Sequence, residues 1–249
     1  MNDTVQNKTV VVTGVSSGIG EAVAALYHTR GYQVIGLDLQ LTPQPFPVLK
    51  CNISDEASVH QSFVWIEENC RFVNYLINCA GVFFIKERFS IATMDLHSWE
   101  SVIRTNLTGT MLVTKYAIPL LEKALGDKAI VNISSDQAVY PRRKNAAYAV
   151  SKSGIECLTK LCAVELLQSG IRANAVALSS VRSNFILEMA GSKENMDVIY
   201  RQQDAKMPLG LIEAKEAAQT VVFLGSEASL KMTGQVIVVD SGLYLKGKD

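Results

Sequence analysis

Lys8-Thr9-Val10-Val11-Val12-Thr13-Gly14-Val15-Ser16-Ser17-Gly18-Ile19-Gly20 is the stretch that decides the fold. The run up to Thr13 is β-branched and apolar, which reads as a buried strand. Beyond the glycines, Ile19, Ala22, Val23 and Leu26 recur at helical spacing, and Gly31 stands where a C-terminal cap belongs. Three glycines between a strand and a helix let the backbone turn tightly and approach a ligand. The helix behind them turns its free N–H groups and positive dipole end toward the same place, which suits a pyrophosphate. Gly14, Ser16, Ser17, Gly18, Ile19 and Gly20 are therefore read as a phosphate cradle. Their spacing is G-x-x-x-G-x-G, not the G-x-G-x-x-G of the general dinucleotide fingerprint. A turn whose glycines serve packing alone would look the same.

Outward from this stretch, strand and helix patterns alternate to the end of the chain. Further strands are expected at 32–37, 48–51, 73–77, 129–133, 171–176 and 235–239. Helices are expected at 55–70 (with Ser54 or Asp55 as N-cap), 96–121 with an interruption near Gly109, 146–167 and 215–224. Ile155, Leu158, Cys162 and Leu166 form the core stripe of the third of these. Alternating βα units with wholly apolar strands imply an α/β, Rossmann-type doubly wound parallel sheet of about seven strands with helices on both faces. No Pro-rich, Gly/Ser-rich or single-charge run divides the 249 residues, so one domain over 1–249 is expected.

Composition removes several classes of function. Lys plus Arg and Asp plus Glu each number 24, and zero net charge argues against nucleic acid as a main partner. No apolar run approaches a membrane span, and Met1 to Lys8 lacks a signal-peptide core. The five cysteines (51, 70, 79, 157, 162) include no Cys-x-x-Cys pair, which fits reduced thiols and a cytoplasmic location. His28, His60 and His97 are scattered, so no metal site is expected. No repeat of 20–50 residues is present.

Chemistry concentrates at a few positions. Asp38 ends the second strand, 18 residues past Gly20, where a carboxylate accepts from an adenosine ribose. A 2′-phosphate there would meet like charge, and no Lys or Arg stands at 15–17, 39 or 40 to offset it, so NAD is favoured over NADP. Tyr148 and Lys152 lie four apart on one helix face. A cation beside a phenol lowers its pKa from about 10 and makes a usable general acid/base. The pair alone is common on solvated helix faces. Ser135 closes the fifth strand at the rim where such sheets bind ligands, and its hydroxyl can hold a carbonyl or alcohol oxygen; Ser134 is its rival. Asn106 is polar inside an apolar helix, which suits a structural hydrogen bond as well as a functional one.

Taken in order, these motifs resemble the short-chain dehydrogenase/reductase family in its compact single-domain form. The likeness runs from Lys8 to about Tyr244: Thr13 to Gly20, then Asn78-Cys79-Ala80-Gly81, Asn106, Ser135, Tyr148-x-x-x-Lys152 and a closing strand. The resemblance implies that Tyr148 exchanges the substrate proton and that Lys152 lowers its pKa and binds the nicotinamide ribose. It implies that Ser135 polarises the substrate oxygen and that Asn106 positions a water. Asn78, Ala80 and Gly81 would support the sheet and the cofactor. Asn52 and Ile53 would flank the adenine, Asn52 offering its acceptor oxygen. Val181 and Ser183 would guide the nicotinamide amide. The function implied is NAD-dependent interconversion of a secondary alcohol and a ketone. The alternatives are a non-catalytic dinucleotide sensor, a 3-oxoacyl-type reductase, and the extended epimerases and dehydratases, for which this length is short. The partner implied is a small-molecule substrate, and the assembly a homotetramer or homodimer built on helices 96–121 and 146–167.

Three positions depart from the family pattern. Leu178-Ser179 replaces Pro-Gly, which puts the nicotinamide loop in doubt; Lys215 replaces a Pro; Cys79 replaces a common Asn. For the substrate, Phe83, Phe84 and Ile85 are expected as an apolar wall, Asn184 to Lys206 as a lid, and Gln137 and Asn145 as readers of hydroxyl groups. Arg142-Arg143-Lys144 fits an acidic substrate, a solvated loop or a subunit contact.

Overall fold

The computed structural model describes residues 8–83, 89–183 and 190–245. Seven parallel strands form one sheet: β1 (Thr9–Thr13), β2 (Gln33–Asp38), β3 (Val48–Lys50), β4 (Tyr75–Asn78), β5 (Lys128–Ser135), β6 (Ile171–Leu178) and β9 (Val236–Val239). Their spatial order is β3-β2-β1-β4-β5-β6-β9, so the winding reverses between β1 and β4. That reversal opens a crevice at the carboxyl edge, where ligands of such sheets bind. The expected α/β architecture, with its seven strands and helices on both faces, is the one observed.

Period-two alternation distributes the strands between two cores. Val10, Val12, Tyr75, Ile77, Val131 and Ile133 face α1 (Gly18–Thr29) and a late helix, α7 (Ala214–Leu224). Val11, Ile35, Leu76 and Ile130 face α2 (Glu56–Cys70), α4 (Gly109–Lys123) and α5 (Ala146–Glu165). Asp55 is the N-cap of α2, its side chain accepting from Ala57 N–H at 3.2 Å, which resolves the Ser54/Asp55 alternative. Of the expected α5 stripe, Ile155, Cys162 and Leu166 are buried and Leu158 packs against them half-buried.

One expected interruption and three differences from the sequence reading bear on the site. The long helix breaks into α3 (Leu96–Ile103) and α4, joined by a widened turn of π-type winding at Arg104–Thr108, just before Gly109. Strand β6 continues to Leu178 because it pairs with Ser135 on one side and Val239 on the other. A helix, α6 (Lys193–Asp204), occupies much of the segment read as a lid. Two short strands, β7 (Val181–Arg182) and β8 (Ile212–Glu213), form a second small parallel sheet that periodicity over two residues could not reveal.

Candidate active site

The crevice holds a cavity of about 610 Å³ running from the Gly-rich loop to the end of β5. At one end are Gly14, Ser17, Gly18, Ile19, Gly20 and Asp38. Gly18 has φ +60°, and a Cβ there would lie 3.2 Å from Ser183 Cβ, so the chain beyond β6 packs directly over this loop. At Gly20 a Cβ would stand 2.1 Å from the Gly14 carbonyl oxygen, which no side chain can tolerate. Ser17 caps α1 with extended backbone and no side-chain hydrogen bond, so no side chain of its own closes the helix end.

Asp38 lies at the end of β2 as expected, with both oxygens already in use. Oδ2 accepts from Ser16 N–H and Oδ1 from Gln40 N–H, each at 2.9 Å. The carboxylate thereby ties the Gly-rich loop to β2, and each oxygen keeps a further lone pair for a ribose hydroxyl. Ser16 belongs to this tie: its Oγ donates to Gln40 O at 2.7 Å, and it does not line the cavity. Asn52 and Ile53 do line it. Asn52 Oδ1, expected to be open to adenine, accepts from both Ser54 N–H (3.1 Å) and Ser54 Oγ (2.8 Å). The end of that amide not engaged by Ser54 is Nδ2, a donor.

Ala80 and Gly81 line the cavity beside Cys79, and Thr13 Oγ accepts from both Cys79 and Ala80 N–H at 3.0 Å. Asn78 does not join them. It is buried in the sheet, where its Nδ2 donates to Asn132 Oδ1 (2.8 Å) and Thr114 Oγ (3.2 Å), so its part is structural. Asn106 sits fully buried on the π-type turn. Its Oδ1 accepts from Val82 N–H at 2.7 Å, and its Nδ2 donates to Val82 O (3.0 Å) and Ser151 Oγ (3.1 Å). The amide clamps the backbone after β4 against α5, with both N–H groups of its side chain engaged and a second lone pair left on Oδ1.

Two successive residues of β5 dock α5. Ile133 O accepts from Lys152 Nζ at 2.8 Å. Ser134 Oγ bonds Lys152 O and Glu156 Oε1 behind the site, at 3.3 and 2.8 Å. Ser135 Oγ donates to Asp136 Oδ1 at 3.0 Å, accepts from Gln137 N–H at 3.2 Å and is the serine beside the Tyr148 hydroxyl. Tyr148, Lys152 and Ser135 all line the cavity, and Phe83 packs on the Tyr148 ring with centroids 4.5 Å apart. Phe84 and Ile85 lie outside the described residues.

Electrostatics depart from the simple expectation. Burial pushes the Tyr148 phenol up to about 12, with the neighbouring Ser135 hydroxyl acting against it, Asp136 adding to the rise and Arg142 opposing it. Burial likewise pushes Lys152 down to about 8. In the chain by itself burial outweighs the neighbouring charges on both groups. The two desolvation costs dominate, and the ammonium lies 5.6 Å from the ring centroid, turned to Ile133 O.

Past Tyr148 the cavity meets Gln137, Arg142, Ile199, Tyr200 and Gln203. Asn145 stands behind Gln137, donating to its Oε1 at 2.8 Å, so only Gln137 faces the space. Arg142 lies 2.8 Å from buried Asp136, which also accepts from Tyr244. Arg143 and Lys144 are exposed and do not line the cavity. Val181 and Ser183 line it despite Leu178-Ser179, because Ser179 N–H bonds Val239 O at 3.1 Å and extends the ladder through the departure. From α6, Tyr200 Oη accepts from Ser183 N–H at 2.9 Å and donates to Ser183 O. Asp136, Tyr200, Gln203 and Tyr244 were not found from sequence. Asp136 had the faint signal of an acid directly after the rim serine; Tyr244 had none, being 108 residues distant. Among the described residues, no group of three or more His, Cys, Asp or Glu could hold a metal ion, and no helix is long and apolar enough to cross a membrane.

The cavity suits a dinucleotide by its own features. It joins a glycine cradle at a helix N-terminus to a strand-end carboxylate, and continues to a buried Tyr/Lys/Ser cluster. Ser179 Oγ, buried at its lining and without a partner, is a polar group that a ligand could satisfy. Comparison with known proteins agrees. A family model described as enoyl-(acyl carrier protein) reductase matches residues 14–244. A 3-oxoacyl-(acyl-carrier-protein) reductase of Thermotoga maritima is 30% identical, over 96% of this chain and 99% of its own. Carbonyl reductase family member 4 of Danio rerio is 33% identical over 96% and 99%. The ligand-free aldohexose dehydrogenase of Thermoplasma acidophilum superposes with a TM-score of 0.91 at 28% identity, over 97% of this chain and 96% of that one. With motifs, topology and relatives in agreement, the chain belongs to the short-chain dehydrogenase/reductase family of oxidoreductases.

Proposed function

We propose that this chain interconverts a secondary alcohol and a ketone with NAD, using Tyr148 as general acid/base. The observation that carries the reading is that Tyr148, Ser135 and Lys152 share one cavity with the glycine cradle and Asp38. Nicotinamide dinucleotides are the cofactors of this family. Gly14, Ser17, Gly18 and Ile19 would hold the pyrophosphate, Asp38 the adenosine ribose, Ile53 and Asn52 Nδ2 the adenine, and Lys152 the nicotinamide ribose. Asp38 supports NAD over NADP because a 2′-phosphate would crowd a carboxylate already placed by Ser16 and Gln40. When bound, the nicotinamide supplies the hydride acceptor or donor and, oxidised, a positive charge that favours a phenolate nearby.

The chain's own residues manage the oxygen and its proton. In the reducing direction Tyr148 gives its hydroxyl proton to the substrate oxygen, while Ser135 lies beside that hydroxyl. In the oxidising direction the same oxygen of Tyr148 takes the proton back. Lys152, held by Ile133 O, keeps a cation at the base of the cluster. Val82, clamped by Asn106, keeps the wall beyond Gly81 in place. Helix α6 brings Ile199, Tyr200 and Gln203 over the cavity, consistent with the lid reading for its described part; residues 184–189 lie outside the described residues.

Arg142 does not by itself support an acidic substrate, because Asp136 offsets its charge. Neutral hydroxy compounds and their ketones come first, with a 3-oxoacyl thioester included because relatives carry that name. The outward face of α5 leaves Val150, Leu161 and Val164 exposed, which supports a homodimer or homotetramer, and a cytoplasmic site of action belongs to the same proposal. The test is a panel of secondary alcohols, sugars, steroids and 3-oxoacyl thioesters with NAD(H) and NADP(H). NAD-linked turnover of at least one is expected. Preference for NADP(H) would overturn the cofactor assignment, and binding of NAD with no turnover of any compound would favour the sensor.

A further inference from the structure

Helix α6 sends one phenol into the wall that parts the cavity from an open groove along α1. Tyr200 is 2% exposed. Strand β7 ends at Arg182, and Tyr200 Oη serves both backbone groups of the next residue. It accepts from Ser183 N–H at 2.9 Å and donates to Ser183 O. A Cβ on Gly18 would lie 3.2 Å from Ser183 Cβ, so Ser183 rests on the second glycine of the cradle. Gly18, Ser183 and Tyr200 line both the cavity and the groove, and so form the partition between them. Ile199 and Gln203 of the same helix line the cavity alone.

We propose that Tyr200 is a positioning residue for the dinucleotide: its hydroxyl sets the Ser183 backbone over the glycine cradle, so that cofactor affinity depends on a side chain of the helix above the substrate space. Strand β7 has two residues, paired to β8 at Val181–Ile212 and Arg182–Glu213. So short a ladder does little to fix the chain beyond it. A phenol hydroxyl both donates and accepts, so one atom supplies the next rung for Ser183 from a helix. Holding that chain in place beforehand lowers the ordering cost of binding a ligand against it. The coupling runs both ways, since a ligand that fixes Ser183 also steadies Tyr200 and, through it, α6.

A second contact separates packing from hydrogen bonding at this ring. The Arg182 guanidinium lies 5.1 Å from the Tyr200 ring centroid, and its Nε donates to Glu213 Oε1 at 2.9 Å. Arg182 lines the groove and not the cavity. Its removal loosens the ring from outside and leaves the Tyr200 hydroxyl in place, whereas Tyr200→Phe keeps the ring and removes both bonds to Ser183.

This role rests on the dinucleotide site proposed above, and binding rather than turnover is read. NAD and AMP are titrated by calorimetry into the parent, Tyr200→Phe and Arg182→Met. Amide hydrogen exchange over 193–204 is followed by mass spectrometry with and without NAD. Tyr200→Phe should raise the NAD Kd about fivefold or more and leave AMP, which lacks the nicotinamide half, within about twofold, while Arg182→Met leaves both within about twofold. In the parent NAD should slow exchange over 193–204, and Tyr200→Phe should lose that protection. An unchanged NAD Kd in Tyr200→Phe, an equal loss for AMP, an equal loss in Arg182→Met, or no protection of 193–204 in the parent overturns the proposal. Should Tyr200→Phe fail to fold, exchange in the parent decides. Binding of NADP in place of NAD would count against the cofactor assigned above, and the same titrations with NADP then decide the role of Tyr200. A parent that binds neither overturns both.

Discussion

At the amino end of β5, Asp127 meets Arg172 and Tyr75; at its carboxyl end, Asp136 meets Arg142 and Tyr244. The same three residue types serve two purposes. Arg172 is buried and bidentate to Asp127, at 3.0 and 2.9 Å, and its other N–H groups reach Leu224 O, Ser226 O and Ser229 Oγ. Every strong group has a partner, and the cluster joins β5, β6 and the end of α7. Arg142 reaches its Asp through one nitrogen and keeps 38% of its side chain exposed, at the edge of the cavity. There the neighbours are a phenol and an amine that burial has pushed away from their ordinary values. Saturated hydrogen bonding holds the sheet at one end, while at the other some capacity stays open for a ligand.

The sharpest way to break the contrast is at Tyr148. Tyr148→Phe should lower turnover by about 10²–10⁴-fold or more while NAD affinity and unfolding midpoint stay close to the parent, measured by steady-state kinetics, calorimetry and urea unfolding. Retained turnover would remove the chemistry from this end. Next comes the amino end. Arg172→Met should cost about 3–5 kcal/mol in urea unfolding, because Asp127 is left buried and uncompensated. A cost below that of a surface pair would show that the cluster is not a lock.

A change at Lys152 should act with the opposite sign. Its value of about 8 lies below the ordinary 10.5, so the folded state bears the full cost of a buried ammonium below pH 8. As pH rises from 8 to 10.5 the unfolded chain holds that proton longer than the folded one, and the cost disappears. Lys152→Met should therefore stabilise the chain at pH 7 by about 1–3 kcal/mol while ending turnover, with the gain shrinking toward pH 10. Loss of stability at pH 7 would show that the Ile133 O bond outweighs desolvation. The smallest effect is expected from Arg142→Met, about 1 kcal/mol in unfolding, since its guanidinium is partly in water and buried Asp136 keeps its bonds from Ser135 and Tyr244. A loss matching that of Arg172→Met would erase the distinction between the two ends.

Much of this could be read in the chain. The strands were legible because a buried parallel strand must be apolar throughout, and the Gly-rich loop because only glycine permits the close approach at Gly20. Tyr148 and Lys152 were legible because helical spacing puts them on one face. Less could be read where partners are distant. Asn78 and Asn106 belong to motifs, yet the structure gives their side chains to the sheet and to Val82. Ser134 and Ser135 differ only in which way the last residues of a strand point: Ser134 Oγ bonds α5, and Ser135 Oγ bonds Asp136 and Gln137.

The sequence by itself determined the doubly wound sheet, the glycine-rich turn and the spacing of Tyr148 and Lys152, because these depend on backbone geometry and short-range periodicity. Tertiary structure alone decided the protonation balance: which groups lose water, that Lys152 turns to Ile133 O, and that Tyr244 reaches across the chain to Asp136. Desolvation and charge pairing act through space, and contacts between residues so far apart in the chain exist only once the sheet has brought them together.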